Sequence, residues 1–232
     1  MKRPVLLLTV SALLLAGCGD DGGDGGGTAA KTDTARAETA AQSTSGCKQV
    51  AVPKPKTDGG QRKPAGTLPG SRTYEVTLKT NCGSFTIRLQ PKVAPNAAAS
   101  FVALARKGFF DDTVFHRIVP GFVIQGGDPT ASGQGGPGYS TRDTPGQGTT
   151  YTRGVVAMAK TGTEPAGTAG SQFYVVTGAD AGLQPDYAVL GRVTKGLDTT
   201  VERIGMLGDP SSGETGTPTQ AVVIQRATVS AR

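Results

Sequence analysis

The chain has 232 residues, which is enough for one sizeable domain with additional segments. Residues 1–71 hold nine basic and six acidic residues, and residues 72–232 hold fifteen and twelve, so the net charge of +6 is split evenly as +3 and +3. Because the sequence holds no dense basic run, its composition gives no support to nucleic-acid binding, and we expect no nucleic-acid partner.

The N-terminus reads MKRPVLLLTVSALLLAGC. Two basic residues precede an apolar run, Val5–Ala16, which is too short to span a bilayer comfortably and has the length of a signal-peptide core. The ending Leu15–Cys18 resembles the bacterial lipobox, in which the cysteine becomes the lipidated first residue of the mature protein. We therefore predict a signal peptide over residues 1–17 and a lipid anchor on Cys18. A plain secretory signal with an incidental cysteine is the alternative.

Residues 18–71 are rich in Gly, Asp, Ala, Thr and Ser, and later in Pro, with little apolar surface to bury. This composition predicts a disordered tether that follows the lipidated N-terminus at Cys18 and docks on the domain, if at all, near Val50–Val52. Cys47 and Cys82 are available for a disulfide after export, and two free thiols are the alternative. No CxxC or Cys/His cluster supports a structural zinc site, and no metal is expected.

Residues 72–232 carry the periodic patterns of a folded domain. Apolar and polar residues alternate over Thr73–Lys79 and again over 85–89, which predicts a β-hairpin. Pro95 then opens a predicted helix that ends near Gly108. The apolar side chains of this helix that fall at helical spacing are Ala97, Ala98, Phe101, Leu104 and Ala105.

The remainder of the domain combines glycine-rich chain with short strands. Its glycines and prolines predict a long surface loop over 126–150. Short strands are expected at 154–159, 172–177, 187–193 and 221–229. A second short helix is predicted with Asp198 as its cap and with Val201 and Ile204 facing inward. Many short strands, two helices and no βαβ alternation predict a mainly β fold, a closed antiparallel barrel with helices covering its ends.

The stretch FHRIVPGFVIQGGD, residues 115–128, places the only histidine, an arginine and a glutamine among apolar residues. Conventional catalytic patterns are missing: there is no GxSxG elbow, no P-loop and no paired carboxylates. One arginine, side-chain amides and strand aromatics suit peptide binding and electrostatic stabilisation rather than proton abstraction, and no cofactor is expected. His116 has no titrating partner, so we expect a packed, hydrogen-bonded neighbour of the site.

This stretch resembles the signature segment of the cyclophilin-type peptidyl-prolyl cis-trans isomerases. Three further stretches are similar to the family in order and spacing: Gly154–Ala159, Gly170–Val175 and Val189–Val193. The resemblance runs from about Arg72 to the C-terminus and implies an isomerase domain over 72–232. It also implies a closed eight-stranded antiparallel β-barrel capped by two α-helices, in agreement with the pattern of strands and helices.

The resemblance implies a role for each residue of the site. Arg117 would donate to the prolyl nitrogen of the twisted bond, and Gln125 would hold Arg117 and the substrate carbonyl. The apolar cup for the proline ring would consist of Phe122, Val123, Tyr174 and Leu183. The backbone of the preceding residues would meet Ala159, Lys160 and Gln172, and Tyr187 completes the substrate-binding set.

The chain departs from the family pattern at five positions. Val123 stands where methionine is common, Tyr174 where phenylalanine is usual, and Lys160 where asparagine is usual. Gly182 and Tyr187 fall where many members carry tryptophan and histidine. Pocket size, sequence preference and cyclosporin affinity therefore stay open, while the arginine chemistry is not directly touched.

We expect an exported, lipid-anchored and monomeric isomerase that acts on proline-containing segments of exported proteins at the outer side of the bacterial cell membrane. One alternative is a proline-peptide binding or chaperone module with weak or no turnover, and another is a scaffold lipoprotein. The combination of Arg117, Phe122 and Gln125 favours catalysis, because simple binding does not require a guanidinium at that place.

Overall fold

The computed structural model describes residues 45–232, so the predicted signal peptide, Cys18 and the tether up to residue 44 lie outside the described residues. The strands are β1 Tyr74–Thr80, β2 Gly83–Leu89, β3 Thr113–Val119, β4 Val123–Asp128, β5 Thr141–Arg142, β6 Val155–Met158, β7 Thr168–Ala169, β8 Phe173–Val176, β9 Val189–Lys195 and β10 Val223–Ala231. Eight of them close a barrel in the order β1-β10-β3-β4-β8-β6-β9-β2, with antiparallel pairing throughout, and β5 pairs with β7 separately. The predicted eight-stranded barrel is confirmed.

The helical segments are α1 Pro95–Arg106, a π-helical turn Leu197–Val201 that continues into α2 Glu202–Gly205, and a 3₁₀ helix Pro210–Thr215. Both helices expected from the sequence are present, and Val201 and Ile204 are buried as predicted. Within residues 45–232, none of the helices is both long enough and apolar enough to cross a membrane.

The caps of these helices are not the ones that local sequence suggests. The π-helical turn is preceded by Gly196 in the left-handed conformation, and the Asp198 carboxylate accepts a hydrogen bond from Arg153 instead of capping the helix. A Cβ on Gly196 would lie 2.5 Å from the Ser84 carbonyl oxygen, so only glycine fits. The expectation for Asp198 was therefore wrong. At α1, the backbone N–H of Ala97 donates to Asp143, which reaches the helix from the loop after β5.

Three neighbouring strands of the barrel are buried on both faces, because their side chains alternate between the inside and the outside of the barrel. In β4, β6 and β8, one set of side chains fills the barrel and the other packs on its outer side. The inward set includes Ile124, Val156, Met158, Phe173 and Val175. The outward set includes Val123, Val155, Ala157, Tyr174 and Val176. The outer set forms a second, smaller apolar cluster, and the candidate site lies on it.

The glycine-rich loop begins later than the sequence suggested. β4 continues through Gly126, Gly127 and Asp128, although these residues open the predicted loop over 126–150. At Gly127, φ is +86° and a Cβ would lie 2.5 Å from the Ser171 carbonyl oxygen. Glycine is required there for close approach of two chain segments, and its presence does not mark a surface loop.

Residues 47–63, which we call the strap, run along the outside of the barrel. Cys47 and Cys82 form a disulfide, and the backbone N–H of Lys48 donates to the Asn81 carbonyl at 2.9 Å. Farther along, three backbone N–H groups of the strap, at positions 56, 59 and 61, donate to carbonyls of loop residues 129–137. The prediction of a disordered tether is therefore wrong for the strap. Val52, which belongs to the contact point expected from the sequence, is 67% exposed.

Candidate active site

A cavity of about 340 Å³ opens on the outer face of the barrel, above the second apolar cluster. Its lining residues are Arg117, Phe122, Val123, Gln125, Ala159, Lys160, Tyr174, Leu183, Tyr187 and Glu214. The structure thus brings together nine of the ten site residues that the sequence singled out. The tenth, Gln172, stands beside the cavity and accepts a hydrogen bond from the Gln125 side chain at 3.0 Å.

Strand register explains why residues so far apart in sequence meet here. Arg117 on β3 is paired with Gln125 on β4, and Gln125 is paired with Tyr174 on β8. Tyr174 is paired in turn with Ala157 on β6. Directly opposed residues on antiparallel strands point to the same face. The guanidinium, the amide and the phenol ring therefore lie in one row across three strands.

The polar part of the row is a chain of hydrogen bonds. Arg117 Nε donates to the Glu214 carbonyl at 2.9 Å, and its Nη1 makes a long contact of 3.4 Å with Gln125 Oε1. Gln172 Nε2 donates to the carbonyls of Gly133 and Gly135, which fixes the amide that holds Gln125. Within residues 45–232, Arg117 forms no ion pair and its Nη2 carries no hydrogen bond. The guanidinium therefore keeps a donor free.

Two contributors to this site were missed in the sequence. Glu214 belongs to the 3₁₀ helix and orients Arg117 through a main-chain carbonyl, which no side-chain pattern could indicate. Tyr151 is fully buried in the second apolar cluster, and its Oη donates to the Tyr187 carbonyl at 2.7 Å and accepts from the Tyr187 N–H at 2.9 Å. An aromatic residue just before a buried strand was the available signal for Tyr151.

Lys160 supports the cavity wall with its side chain, which is only 3% exposed. Its ammonium lies 2.5 Å from the Asp186 carboxylate and donates to the Glu164 carbonyl at 3.0 Å. The same ammonium lies 5.5 Å from the centre of the Tyr187 ring. A contact of Lys160 with a bound peptide would therefore come from its backbone.

His116 is packed near the site but does not line the cavity. Both of its ring nitrogens are buried without a hydrogen-bond partner among the described residues, so the hydrogen bond expected from the sequence is absent. Burial lowers the pKa of His116 below its usual 6.5; the Asp128 carboxylate opposes this shift and Arg117 adds to it. The folded state therefore favours the neutral imidazole.

We expect this histidine to make the domain less stable in mild acid. As the pH falls through 6.5, the unfolded chain takes up a proton that the folded state resists, so the free energy of unfolding decreases until the folded-state pKa is also passed. The loss is at most about 1.4 kcal/mol per pH unit. Urea unfolding between pH 5.5 and 7.5 should show this slope in the wild type and a smaller one in His116→Gln. Equal slopes in the wild type and in His116→Gln would show that His116 does not cause the loss of stability in acid.

The family comparison decides what kind of protein has this cavity. The family model described as cyclophilin type peptidyl-prolyl cis-trans isomerase/CLD matches residues 75–229. The chain belongs to the cyclophilin family. Membership accounts for the closed barrel and for the enzyme class, a peptidyl-prolyl cis-trans isomerase.

Named relatives agree with this membership. The chain is 35% identical to "Peptidyl-prolyl cis-trans isomerase-like 1" of Gibberella zeae over 161 residues, covering 68% of this chain and 95% of the relative. It is 43% identical to "Peptidyl-prolyl cis-trans isomerase B" of Bacillus subtilis over 111 residues, covering 47% and 76%. A crystal structure of a cyclophilin type isomerase from Cryptosporidium parvum, in the presence of the dipeptide Ala-Pro, superposes with a TM-score of 0.59 and 30% identity, covering 67% and 98%.

The cavity has in its lining a buried hydroxyl, that of Tyr174, which has no hydrogen-bond partner in the described part of the chain. Tyr174 Oη is enclosed without a hydrogen bond among residues 45–232, and burial raises the pKa of the phenol, with further upward contributions from Tyr151 and Tyr187. An unsatisfied buried hydroxyl costs roughly 1–3 kcal/mol of stability. The position therefore carries a penalty that phenylalanine would avoid.

We expect Tyr174→Phe to raise the free energy of unfolding by roughly 1–2 kcal/mol, measured by urea denaturation. Tyr151→Phe is the matched control, because the same change there removes two hydrogen bonds to Tyr187 and is expected to destabilise the domain by roughly 1–3 kcal/mol. If Tyr174→Phe is as destabilising as Tyr151→Phe, the Tyr174 hydroxyl does not carry the proposed stability penalty.

Proposed function

We propose that this cyclophilin is exported, lipid-anchored through Cys18, and acts as a monomer on X–Pro bonds of exported proteins at the outer side of the cell membrane. The signal-like residues 1–17 and the lipobox-like ending support export and anchoring. The disulfide between Cys47 and Cys82 supports an oxidising compartment, where such bonds form and persist.

The row of Arg117, Gln125 and Tyr174 is the observation on which the proposed catalytic roles depend. Rotation of a peptide bond meets a barrier of roughly 18–20 kcal/mol because its C–N bond has double-bond character. In the twisted state the prolyl nitrogen becomes pyramidal and regains a lone pair. A fixed guanidinium that donates to this lone pair binds the twisted state better than either planar isomer, which lowers the barrier.

The other residues of the cavity suit a bound proline. Phe122, Val123 and Leu183 offer apolar walls to the ring, and the Cryptosporidium relative was crystallised in the presence of an Ala-Pro dipeptide. The Gln125 amide is held between Arg117 and Gln172 and is placed to bind a substrate carbonyl. The proposed substrate is therefore a proline-containing peptide segment, bound at its X–Pro bond.

Isomerisation of a short X–Pro peptide by residues 19–232, produced with the disulfide formed, tests the reaction. Acceleration of cis-to-trans exchange, followed by protease-coupled absorbance or NMR exchange spectroscopy, is the expected result. Binding of the peptide without acceleration would instead favour the binding or chaperone alternative, for which the departures from the family pattern at Val123, Tyr174, Gly182 and Tyr187 provide the reason.

Detergent partitioning tests the location. The full chain, expressed in a bacterium, should enter the detergent phase and resist release from membranes by salt, because a lipidated cysteine carries more than one acyl chain. Cys18→Ser should move the protein to the aqueous phase. Unchanged membrane association in Cys18→Ser would overturn the proposed anchor.

A further inference from the structure

A second cavity, of about 380 Å³, adjoins the proline cavity and is partly walled by the strap. The two cavities share Gln125, Ala159 and Lys160, so a peptide bound in the cup can reach the second cavity within a few residues. Loop residues 133–140 form one wall, and Asp58 of the strap reaches in from outside the residues that match the family.

The position of Asp58 is fixed by bonds on both sides of it. Its Oδ1 accepts a hydrogen bond from the Gly136 N–H at 2.7 Å, and the Gly59 N–H donates to the Gly136 carbonyl at 3.0 Å. Two residues earlier, the Lys56 ammonium donates to the carbonyls of Phe109 and Asp111. Because the strap is held at each of these points, the Asp58 carboxylate is presented to the cavity without first having to be ordered.

The charges that face this cavity are mainly negative. Asp58 and Glu164 line it, and the Lys160 ammonium on its border is already paired with Asp186. Lys63 is a further strap cation nearby, and its ammonium donates to the Ser140 carbonyl at the cavity wall. Within residues 45–232, Asp58 Oδ2 accepts no hydrogen bond, so it is available to a ligand.

We infer that the strap makes Asp58 a specificity-determining residue, which favours peptides with a lysine or arginine close to the proline. This inference rests on the proposed binding of X–Pro peptides in the adjoining cup. A basic side chain that enters the second cavity gains a charged hydrogen bond to Asp58, whereas an acidic one meets Asp58 and Glu164. The preference comes from a segment outside the matched family region.

A charge scan of one X–Pro peptide tests the inference. Lys, Gln and Glu are placed in turn at the two positions on each side of the X–Pro pair, and kcat/KM is measured for each peptide. At one position or more, the wild type should prefer Lys to Glu about two- to fivefold, as expected for a solvent-exposed ion pair. The preference should shrink as salt is added, because the charges are screened.

Two variants distinguish the effect of the Asp58 charge from an effect on the structure of the strap. Asp58→Asn keeps the acceptor for the Gly136 N–H and should abolish most of the Lys-over-Glu preference. Asp198→Asn removes an exposed carboxylate that lines neither cavity and should change nothing. A Lys/Glu ratio in Asp58→Asn equal to that of the wild type would overturn the inference.

The Gln peptide separates failure of this inference from failure of the proposed function. If the wild type turns over no peptide, the proposed reaction is wrong, and the Lys and Glu peptides are then compared by their binding constants in NMR titration. Tighter binding of the Lys peptide that is lost in Asp58→Asn would still support the role of Asp58. Equal binding of both peptides would reject it.

Discussion

Replacing Arg117 with alanine is expected to lower kcat/KM for X–Pro isomerisation by about 100- to 1000-fold, the usual cost of removing one donor that stabilises a transition state. The loss should fall mainly on kcat, because the guanidinium binds the twisted state and contributes less to binding the planar peptide. Arg117→Lys should be intermediate, since an ammonium keeps the charge but cannot contact Glu214 and Gln125 with a planar fork.

A surface arginine provides the control for this change. Arg88→Ala removes a guanidinium that pairs with Glu75 outside the cavity, and Glu75 keeps its second partner, Arg232. Activity within twofold of the wild type is expected for Arg88→Ala. Circular dichroism and urea unfolding should show that Arg117→Ala remains folded. An Arg117→Ala enzyme within threefold of the wild type would reject the proposed role of the guanidinium.

Side-chain periodicity predicts a closed antiparallel barrel, whereas the number of its strands and the roles of the site residues were expected from the resemblance to the cyclophilin family. Alternation along β4 puts Ile124 into the barrel and Val123 and Gln125 on its outer face, and the same period acts in β8. Once the strands pair in register, the outer residues meet in one row without further information. Strand register therefore explains why Arg117, Gln125 and Tyr174, which the family resemblance singled out, meet in one row.

The features that could not be predicted depend on irregular backbone. Asp143 caps α1 from 46 residues away, and the Glu214 carbonyl orients Arg117 from 97 residues away. The order of the strap cannot be predicted from the sequence, because the strap binds through main-chain N–H groups and through Lys56, and not through buried apolar side chains. Hydrogen bonds of this kind satisfy polar groups and leave no period in the sequence.

Removing the disulfide is expected to cause the largest loss of stability. The bond joins residues 35 apart, and a closed loop of that length should stabilise the domain by about 3–4 kcal/mol, largely by restricting the unfolded chain. Alanine is the appropriate replacement, because both cysteines are buried and a serine hydroxyl would have to be buried in their place. We therefore expect Cys47→Ala/Cys82→Ala to unfold at clearly lower urea concentration, as should the wild type in reductant.

The same double cysteine variant distinguishes the effect of the disulfide on the whole domain from its effect on the strap alone. The Asn81 amide links the strap to β10, since its Nδ2 donates to the Lys48 carbonyl and its Oδ1 accepts from the Val223 N–H. Part of the loss of stability should therefore appear in global unfolding of the domain. The rest should appear as local opening, with faster hydrogen exchange at the N–H groups of Gly59 and Gln61 than at those of β4. Lys56→Met, which removes the other anchor but keeps the disulfide, should speed exchange at Gly59 and Gln61 with little change in global unfolding. If the cysteine variant unfolds within 1 kcal/mol of the wild type, the disulfide does not stabilise the cyclophilin barrel, and the strap is held by its hydrogen bonds alone.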